Sequence, residues 1–422
     1  MNDSIIIIGA GAAGLMAAKE LSVKGYRVTI LEANNRLGGR IWTINNDSFL
    51  QPVEAGAEFV HGNLKLTQQL LKEANIAYYV AGGKMLHYEN GEAKKQDDFT
   101  EGWDELMEKM HQLKADITVA EFLNKSFSGD KYESLRQSVQ AFAEGFDLAD
   151  IDKASVFALR DEWSHEDGKQ YRVEGGYHGL INYLAETCKK NGCIIETSCT
   201  VREVHWKKNE VKICTPTRKD FVSNKVIVTV PVSALQSKLN AEAAITFTPS
   251  IHEILHAAKM IGYGTVTKIL LQFNEVFWNK DVGFILSNEP VPTWWTQSPQ
   301  SYPLLTGWLR EARMKKLENT DTASILEGSL QSLASIFKIN VRKLKQKLTA
   351  SSVIDWSKEP FALGGYSYNM IGSSTARKIM NMPIQQTIFF AGEALYEGRD
   401  VGTVEAALVS GRDAAEKVMH VQ

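Results

Sequence analysis

Three groups of residues in this 422-residue chain have the types and spacing to do chemistry. The first is Gly9-Ala10-Gly11-Ala12-Ala13-Gly14, which follows the apolar run Ile5-Ile6-Ile7-Ile8. A glycine at 9 permits a tight turn, one at 11 lets the backbone approach a pyrophosphate, and one at 14 lets a helix pack closely on a strand. The N–H groups at such a helix start face the phosphates. A second strand, Arg27-Val28-Thr29-Ile30-Leu31, then delivers Glu32, whose carboxylate can accept hydrogen bonds from a ribose diol and would repel a 2′-phosphate. The second group is a lysine, Lys268, inside the apolar run Val266–Phe273. A lysine buried there without partners costs several kcal/mol, so it either reaches solvent from an edge strand or has a function. The third is the small-residue loop Val53–Gly62, carrying Glu58 and His61. Either could orient an amine or ammonium group; hydrogen bonding within the loop is the alternative for both.

The elements that must hold these groups follow from periodicity. From Leu64 the pattern is helical, with Leu66, Leu70 and Leu71 on one face. Residues 99–145 alternate helical stretches with short breaks, and a further helix is expected over Leu180–Lys190. Strands are predicted at Cys193–Thr197, Val201–Val204, Val211–Cys214 and Lys225–Val230. The last is apolar throughout its end, as in a strand buried on both faces, and Pro231 stops it. Strands of another sheet are read at Thr267–Phe273, Gly283–Leu286 and Leu304–Trp308, followed by a helix over Thr322–Phe337. Ile388–Glu393 is a buried strand running into a loop, and Gly402 opens a last helix over Thr403–Met419.

Composition narrows the class. Hydrophobic content of 44% and charged content of 23% describe a globular chain long enough for two domains. A net charge of -3 gives no footprint for nucleic acid or an anionic membrane, and Arg342–Lys347 reads as a solvated helix face. A strand by residue 5 leaves no room for a signal peptide, and no apolar run approaches the roughly 18 residues of a membrane span. Cys188, Cys193, Cys199 and Cys214 lack metal-ligand spacing. They are expected to be reduced, in a cytoplasmic protein without a metal site.

After Glu32 the chain continues Ala33-Asn34-Asn35-Arg36-Leu37-Gly38-Gly39-Arg40, a second glycine-arginine element that a nicotinamide-binding unit does not need. This resembles the extended fingerprint of the flavin-containing amine oxidase superfamily, which includes monoamine and polyamine oxidases, L-amino acid oxidases and histone demethylases. Val226–Pro231, Trp356–Tyr368, Phe390–Glu393 and Gly402–Ala407 are similar to that family's central strand, flavin-side segment and C-terminal flavin motif. The resemblance implies an α/β fold: a discontinuous Rossmann-like FAD-binding domain over 1–70, 174–244 and 365–422, plus a mixed-sheet and helical substrate-binding domain over 71–173 and 245–364.

It also implies roles. Gly9, Gly11, Ala13 and Gly14 would face the pyrophosphate, Glu32 and Ala33 the adenosine ribose, and Arg36, Gly39 and Arg40 the phosphate charge. Val201 would hold the adenine through backbone groups. Ala57, Glu58, Trp356 and Glu393 would line the rest of the FAD path, and the helix start at Gly402-Thr403-Val404 would point N–H groups at the flavin. Lys268 would assist reaction with oxygen through a water. Tyr366 would form one aromatic wall for substrate, with Thr403 where the opposite wall belongs. Gly365 stands where covalent members carry a cysteine, so FAD is expected to be non-covalent. The implied reaction is oxidation of an aliphatic or cyclic amine or a polyamine by hydride transfer to flavin, with O2 reoxidation giving H2O2, by a monomer or homodimer. An L-amino acid oxidase is the rival, with Arg160 or Arg172 gripping the carboxylate; desaturases and porphyrinogen oxidases come third. A flavin-bearing interaction module is the non-enzymatic alternative. Asp161 and Glu162 could add negative charge to a substrate channel but are read first as surface carboxylates, and Trp163, Trp294, Trp295 and Trp308 as pocket or core aromatics.

Overall fold

The computed structural model describes residues 3–89, 92–94, 101–164, 169–216, 219–310 and 321–420. Four consecutive isoleucines cannot be half-exposed, and the strand Ser4–Ile8 lies in the middle of a five-stranded parallel sheet. It pairs with Arg27–Leu31 on one side and Lys225–Val228 on the other. Ile194–Glu196 and Ile388–Phe390 complete the two edges. Period-two alternation divides its side chains between two cores. Ile5 and Ile7 pack under the helices Ala12–Val23 and Val404–His420, with Leu15, Met16 and Leu408. Ile6 and Ile8 pack on the other face with Val204, Val211, Ile254 and Ala376.

That second face is covered by a four-stranded sheet ordered Phe221–Ser223, Glu210–Cys214, Glu203–Lys207, Thr246–Thr248. The strand predicted at Val201–Val204 begins instead at Glu203, where pairing with Cys214 and Thr246 starts; Val201 is buried, but in the preceding loop. Residues 246–261, assigned above to the second domain, pack here: Phe247, Ile254 and Ile261 share the core of Ile6 and Ile8. The strand from Lys225 ends at Val228, two residues before Val230, where Thr229 turns its hydroxyl onto the Ile8 carbonyl at 2.8 Å.

A seven-stranded mixed sheet runs Leu348–Asp355, Val266–Phe273, Leu304–Arg310, Thr293–Trp295, Val282–Ser287, Lys84–Glu89, Glu92–Lys94. Alternation again decides direction. Ile269, Leu271 and Phe273 face the core beneath the helix Thr322–Phe337, whereas Val266, Lys268 and Leu270 face the opposite way. Helices Trp103–Gln112, Val119–Ser126, Glu133–Gly145 and Val156–Trp163 form a separate cluster closed by Tyr368. A small sheet of Phe59–His61, Gln170–Val173 and Tyr78–Val80 joins these layers. Among the described residues no helix is long and apolar enough to cross a membrane.

Candidate active site

One cavity of about 2010 Å³ runs between the parallel sheet and the mixed sheet, and it collects residues from both. Every site residue expected from the sequence lines it except Gly14. Gly14 serves packing: a Cβ there would sit 2.0 Å from the Gly9 carbonyl oxygen, so only glycine lets the helix lie on the strand end. Gly9 itself adopts φ +104°, the turn that starts the motif.

At the dinucleotide end, Gly11 is the N-cap of the helix Ala12–Val23 and offers no side-chain cap, so the first N–H groups of the helix are left to an anion. Glu32 is buried and held by two backbone donors, Ala10 N at 2.7 Å and Asn34 N at 2.8 Å. Burial raises its carboxyl above the usual range, against the lowering effect of those donors. Each oxygen keeps a second lone pair for a ribose hydroxyl. Ala13, Ala33, Gly39 and Val201 present small or backbone surfaces along the same wall.

The two arginines line the cavity and are also bonded within the protein. Arg36 Nη1 donates to the Gly39 carbonyl at 2.8 Å, and its guanidinium lies over the Trp42 ring at 4.5 Å, so it fastens the second glycine turn. Arg40 Nη1 donates to Glu393 Oε1 at 2.7 Å and to the Gly365 carbonyl at 2.9 Å. Its charge is already balanced by Glu393, whose other oxygen accepts from Ser367 Oγ at 2.5 Å. Both ends of the chain are thus clamped beside the cavity through residues 353 positions apart.

At the other end, Lys268 is 1% exposed and lies on a central strand, flanked on both sides by neighbours, which removes the edge-strand reading. Its Nζ donates to Glu58 Oε2 at 2.7 Å and to the Gly56 carbonyl at 3.0 Å. Glu58 is not open to an amine as expected. Its Oε1 also accepts from Arg172 Nε at 3.1 Å and Trp295 Nε1 at 2.9 Å. Burial alone would raise the Glu58 carboxyl, but Lys268 and Arg172 outweigh it and hold the group below the usual range. His61 also lines the cavity, with Phe146 edge-on at 5.8 Å. Its buried Nδ1 has no partner among the described residues, and burial pushes the ring down to about 4, so it is neutral at pH 7.

Tyr366 is fixed by a short hydrogen bond from its hydroxyl to the Phe146 carbonyl, and its phenol is pushed well above the usual range by burial, then by Asp147 and Glu162. Trp356 donates to the Ala55 carbonyl at 3.0 Å and meets Trp42 edge-on. Ala57 is pinned to the Arg40 carbonyl through its N–H at 3.1 Å. Thr403 lines the cavity, but its hydroxyl is taken: it donates to the Asp400 carbonyl at 2.6 Å and accepts from Ala406 N at 3.1 Å, capping the helix that starts at Val404. Gly402 turns into that helix with φ +77°.

Arg172 is absent from the lining; its Nη groups bond the Thr296 and Ser298 carbonyls at 2.8 and 2.9 Å. Arg160 pairs with Asp161 at 2.7 Å and also lies off the cavity. Neither is placed to grip a substrate carboxylate. Asp161, Glu162, Trp163, Trp295 and Trp308 line the cavity, whereas Trp294 is core. Sequence reasoning missed Phe146, whose carbonyl sets Tyr366, and Ser367, which sets Glu393. Phe146 lies just past the end of the helix Glu133–Gly145, with no motif; Ser367 follows Tyr366 directly and could have been included.

A glycine turn and uncapped helix start at one end, and a buried lysine with aromatic walls at the other, define a dinucleotide-dependent oxidoreductase. The sequence pattern described as "Flavin containing amine oxidoreductase" matches residues 12–419, and the chain belongs to that family. It is 29% identical to lysine-specific histone demethylase 2 of Homo sapiens over 99% of the chain and 53% of that protein. It is 25% identical to polyamine oxidase 2 of Arabidopsis thaliana over 98% of the chain and 88% of that protein. The chain thus spans about half the length of the demethylase and most of the polyamine oxidase. A putrescine oxidase structure bound to putrescine aligns with TM-score 0.81 and 19% identity over 99% of both chains. Cyclohexylamine oxidase from Brevibacterium oxydans IH-35A aligns with TM-score 0.83 and 18% identity over 99% of both. These two establish the fold. FAD is the cofactor, and the residues present fit it: bare helix N–H groups for the pyrophosphate, the Glu32 carboxylate for the ribose diol, and a cavity continuing past Arg40 to Lys268 and Tyr366.

Proposed function

We propose that the chain oxidises an aliphatic or cyclic amine, or a polyamine, to the imine. One observation carries this reading: the buried Lys268 and an aromatic wall of Tyr366, Trp295, Trp308 and Phe59 open onto the same cavity as the dinucleotide end. When bound, FAD supplies the two-electron oxidant that takes a hydride equivalent from the carbon bearing nitrogen. The chain's residues provide the setting. The aromatic side chains hold the alkyl part of the amine and exclude water, and the neutral ring of His61 can accept an N–H through its unpartnered Nδ1. Lys268 offers a cationic donor where oxygen is reduced.

The amine loses two electrons and two protons; O2 takes them to give H2O2, and water hydrolyses the imine to a carbonyl product and ammonia or a smaller amine. Retention of FAD without a covalent bond is supported at Gly365, which has no side chain to form a linkage and packs against Leu148 Cδ1. The four free cysteines support a reducing compartment.

An amino acid substrate has less support. Arg310, the arginine on the wall beside Trp308, is paired with Glu144, and Arg399 is exposed. Anaerobic mixing with a panel of amines and amino acids, read as bleaching of the oxidised flavin band, tests the proposal. Bleaching by monoamines or polyamines is expected. Bleaching by L-amino acids alone would overturn it, and no bleaching by any donor would favour an interaction module.

A further inference from the structure

The groups around Lys268 form a buried ion triad, two of whose members have no part in the reading above. Glu58 stands at its centre and joins four chain segments: its own loop, Arg172 on Gln170–Val173, Lys268 on Val266–Phe273 and Trp295 on Thr293–Trp295. All three ionic side chains are less than a tenth exposed. Removing each charge from water costs several kcal/mol, which only close pairing and full hydrogen bonding offset.

The pairing is close and the directions are fixed. Arg172 is anchored at three nitrogens, to Glu58, the Ser298 carbonyl and the Thr296 carbonyl. Glu58, held from that side, then accepts from Lys268, whose second bond goes to the Gly56 carbonyl. An ammonium has three N–H bonds; with two hydrogen-bonded among the described residues, the third is left to the cavity that Lys268 lines, on the side of the Trp295 ring 5.4 Å away. Two cations and one carboxylate leave the triad with a single positive charge.

We propose that Glu58 and Arg172 are positioning residues for Lys268: they aim its remaining N–H into the cavity and set the charge of that wall at +1 instead of +2. This rests on flavin binding but not on which amine is oxidised. Two other titratable groups interact with the triad: Tyr79, whose phenol burial raises above the usual range, and Glu54, bonded to Tyr177 N at 2.5 Å and Thr43 Oγ1 at 2.8 Å. Burial pushes Glu54 up to about 7, so near pH 6 it keeps its proton and the count stands.

The test is the midpoint potential of the bound flavin, measured near pH 6 by dye-coupled reductive titration without any amine. Glu58→Gln keeps size and hydrogen bonding but removes the negative charge. Reduction should become at least about tenfold more favourable, a rise of roughly 30 mV for a two-electron couple. Lys268→Met should move the potential the opposite way. The double variant Glu58→Gln/Lys268→Met, again at +1, should return to the wild-type value. If Glu58→Gln yields no folded holoenzyme, the gap between Lys268→Met and the double variant decides. An unchanged potential in Glu58→Gln, or coincidence of Lys268→Met with the double variant, overturns the proposal. Because no amine enters the titration, its failure leaves the flavin-bleaching screen untouched, and the reverse also holds.

Discussion

At the dinucleotide end of the cavity the groups on offer are mostly backbone: the helix start after Gly11, the turn at Gly9, and a single acid, Glu32, oriented by two main-chain N–H groups. At the amine end they are side chains, and they come from segments more than a hundred residues apart: Glu58 with Arg172, Lys268 and Trp295, and Tyr366 with Phe146. The first kind of site tolerates almost any neighbour as long as the chain can turn and pack. The second depends on charge balance in a buried place, where removing one partner strands the others. The first end is therefore built by local geometry, and the second by long-range pairing.

The largest expected effect breaks the side-chain end. Glu58→Ala leaves Lys268 and Arg172 buried without a counter-charge and should cost about 3–5 kcal/mol in denaturant unfolding of the holoenzyme. A loss below about 1 kcal/mol would show that the triad is not what stabilises this wall.

At the backbone end, Gly14→Ala should cost about 3 kcal/mol and FAD retention with it, because the Gly9 carbonyl cannot yield. Gly11→Ala meets its nearest neighbour, the Gly38 carbonyl oxygen, at 3.9 Å. It should change FAD-free stability by less than about 1 kcal/mol while still weakening FAD. Equal effects on the two quantities in both variants would erase the distinction between packing glycine and cofactor glycine.

The pH dependence sharpens the contrast further. His61 refuses a proton down to about pH 4, whereas the unfolded ring takes one below its ordinary 6.5. Stability therefore falls as pH drops through that window. His61→Gln should remove the loss, worth on the order of 2 kcal/mol at pH 4 after allowing for the ring's partial exposure to the cavity. The measurement is the difference in unfolding free energy between the two proteins at pH 7.5 and pH 4; a constant difference would mean a counter-charge beside the ring. Thr403→Ala should cost about 1 kcal/mol through the lost cap and leave the KM for amines unchanged. A raised KM at unchanged stability would return that hydroxyl to the substrate.

Much of the frame was legible beforehand because it is periodic. The helix over Thr322–Phe337 has the limits its pattern implies, with Asp321 accepting from Ser324 N at 2.9 Å as N-cap. The apolar runs at Ile5–Ile8 and Val226–Val228 lie in the buried parallel sheet. Val201 misled because burial and strand pairing need not coincide: it packs inward, yet the ladder starts at Glu203. Thr403 lines the cavity as expected, but that its hydroxyl caps the helix could not be read from the sequence, where a helix-start hydroxyl serves equally as cap or ligand.

By itself the sequence determined a strand, glycine turn and helix leading to Glu32, the pattern expected to hold a dinucleotide, and an unusual lysine in an apolar strand. Those features are set by residues within about one turn or strand of each other, so local spacing carries them. Only the tertiary structure decided that Lys268 is central, that Glu58 answers two cations, and that Arg40 is paired with Glu393. Buried charge is governed by what lies within a few ångströms in space. Here those partners stand 114, 210 and 353 positions apart in the chain.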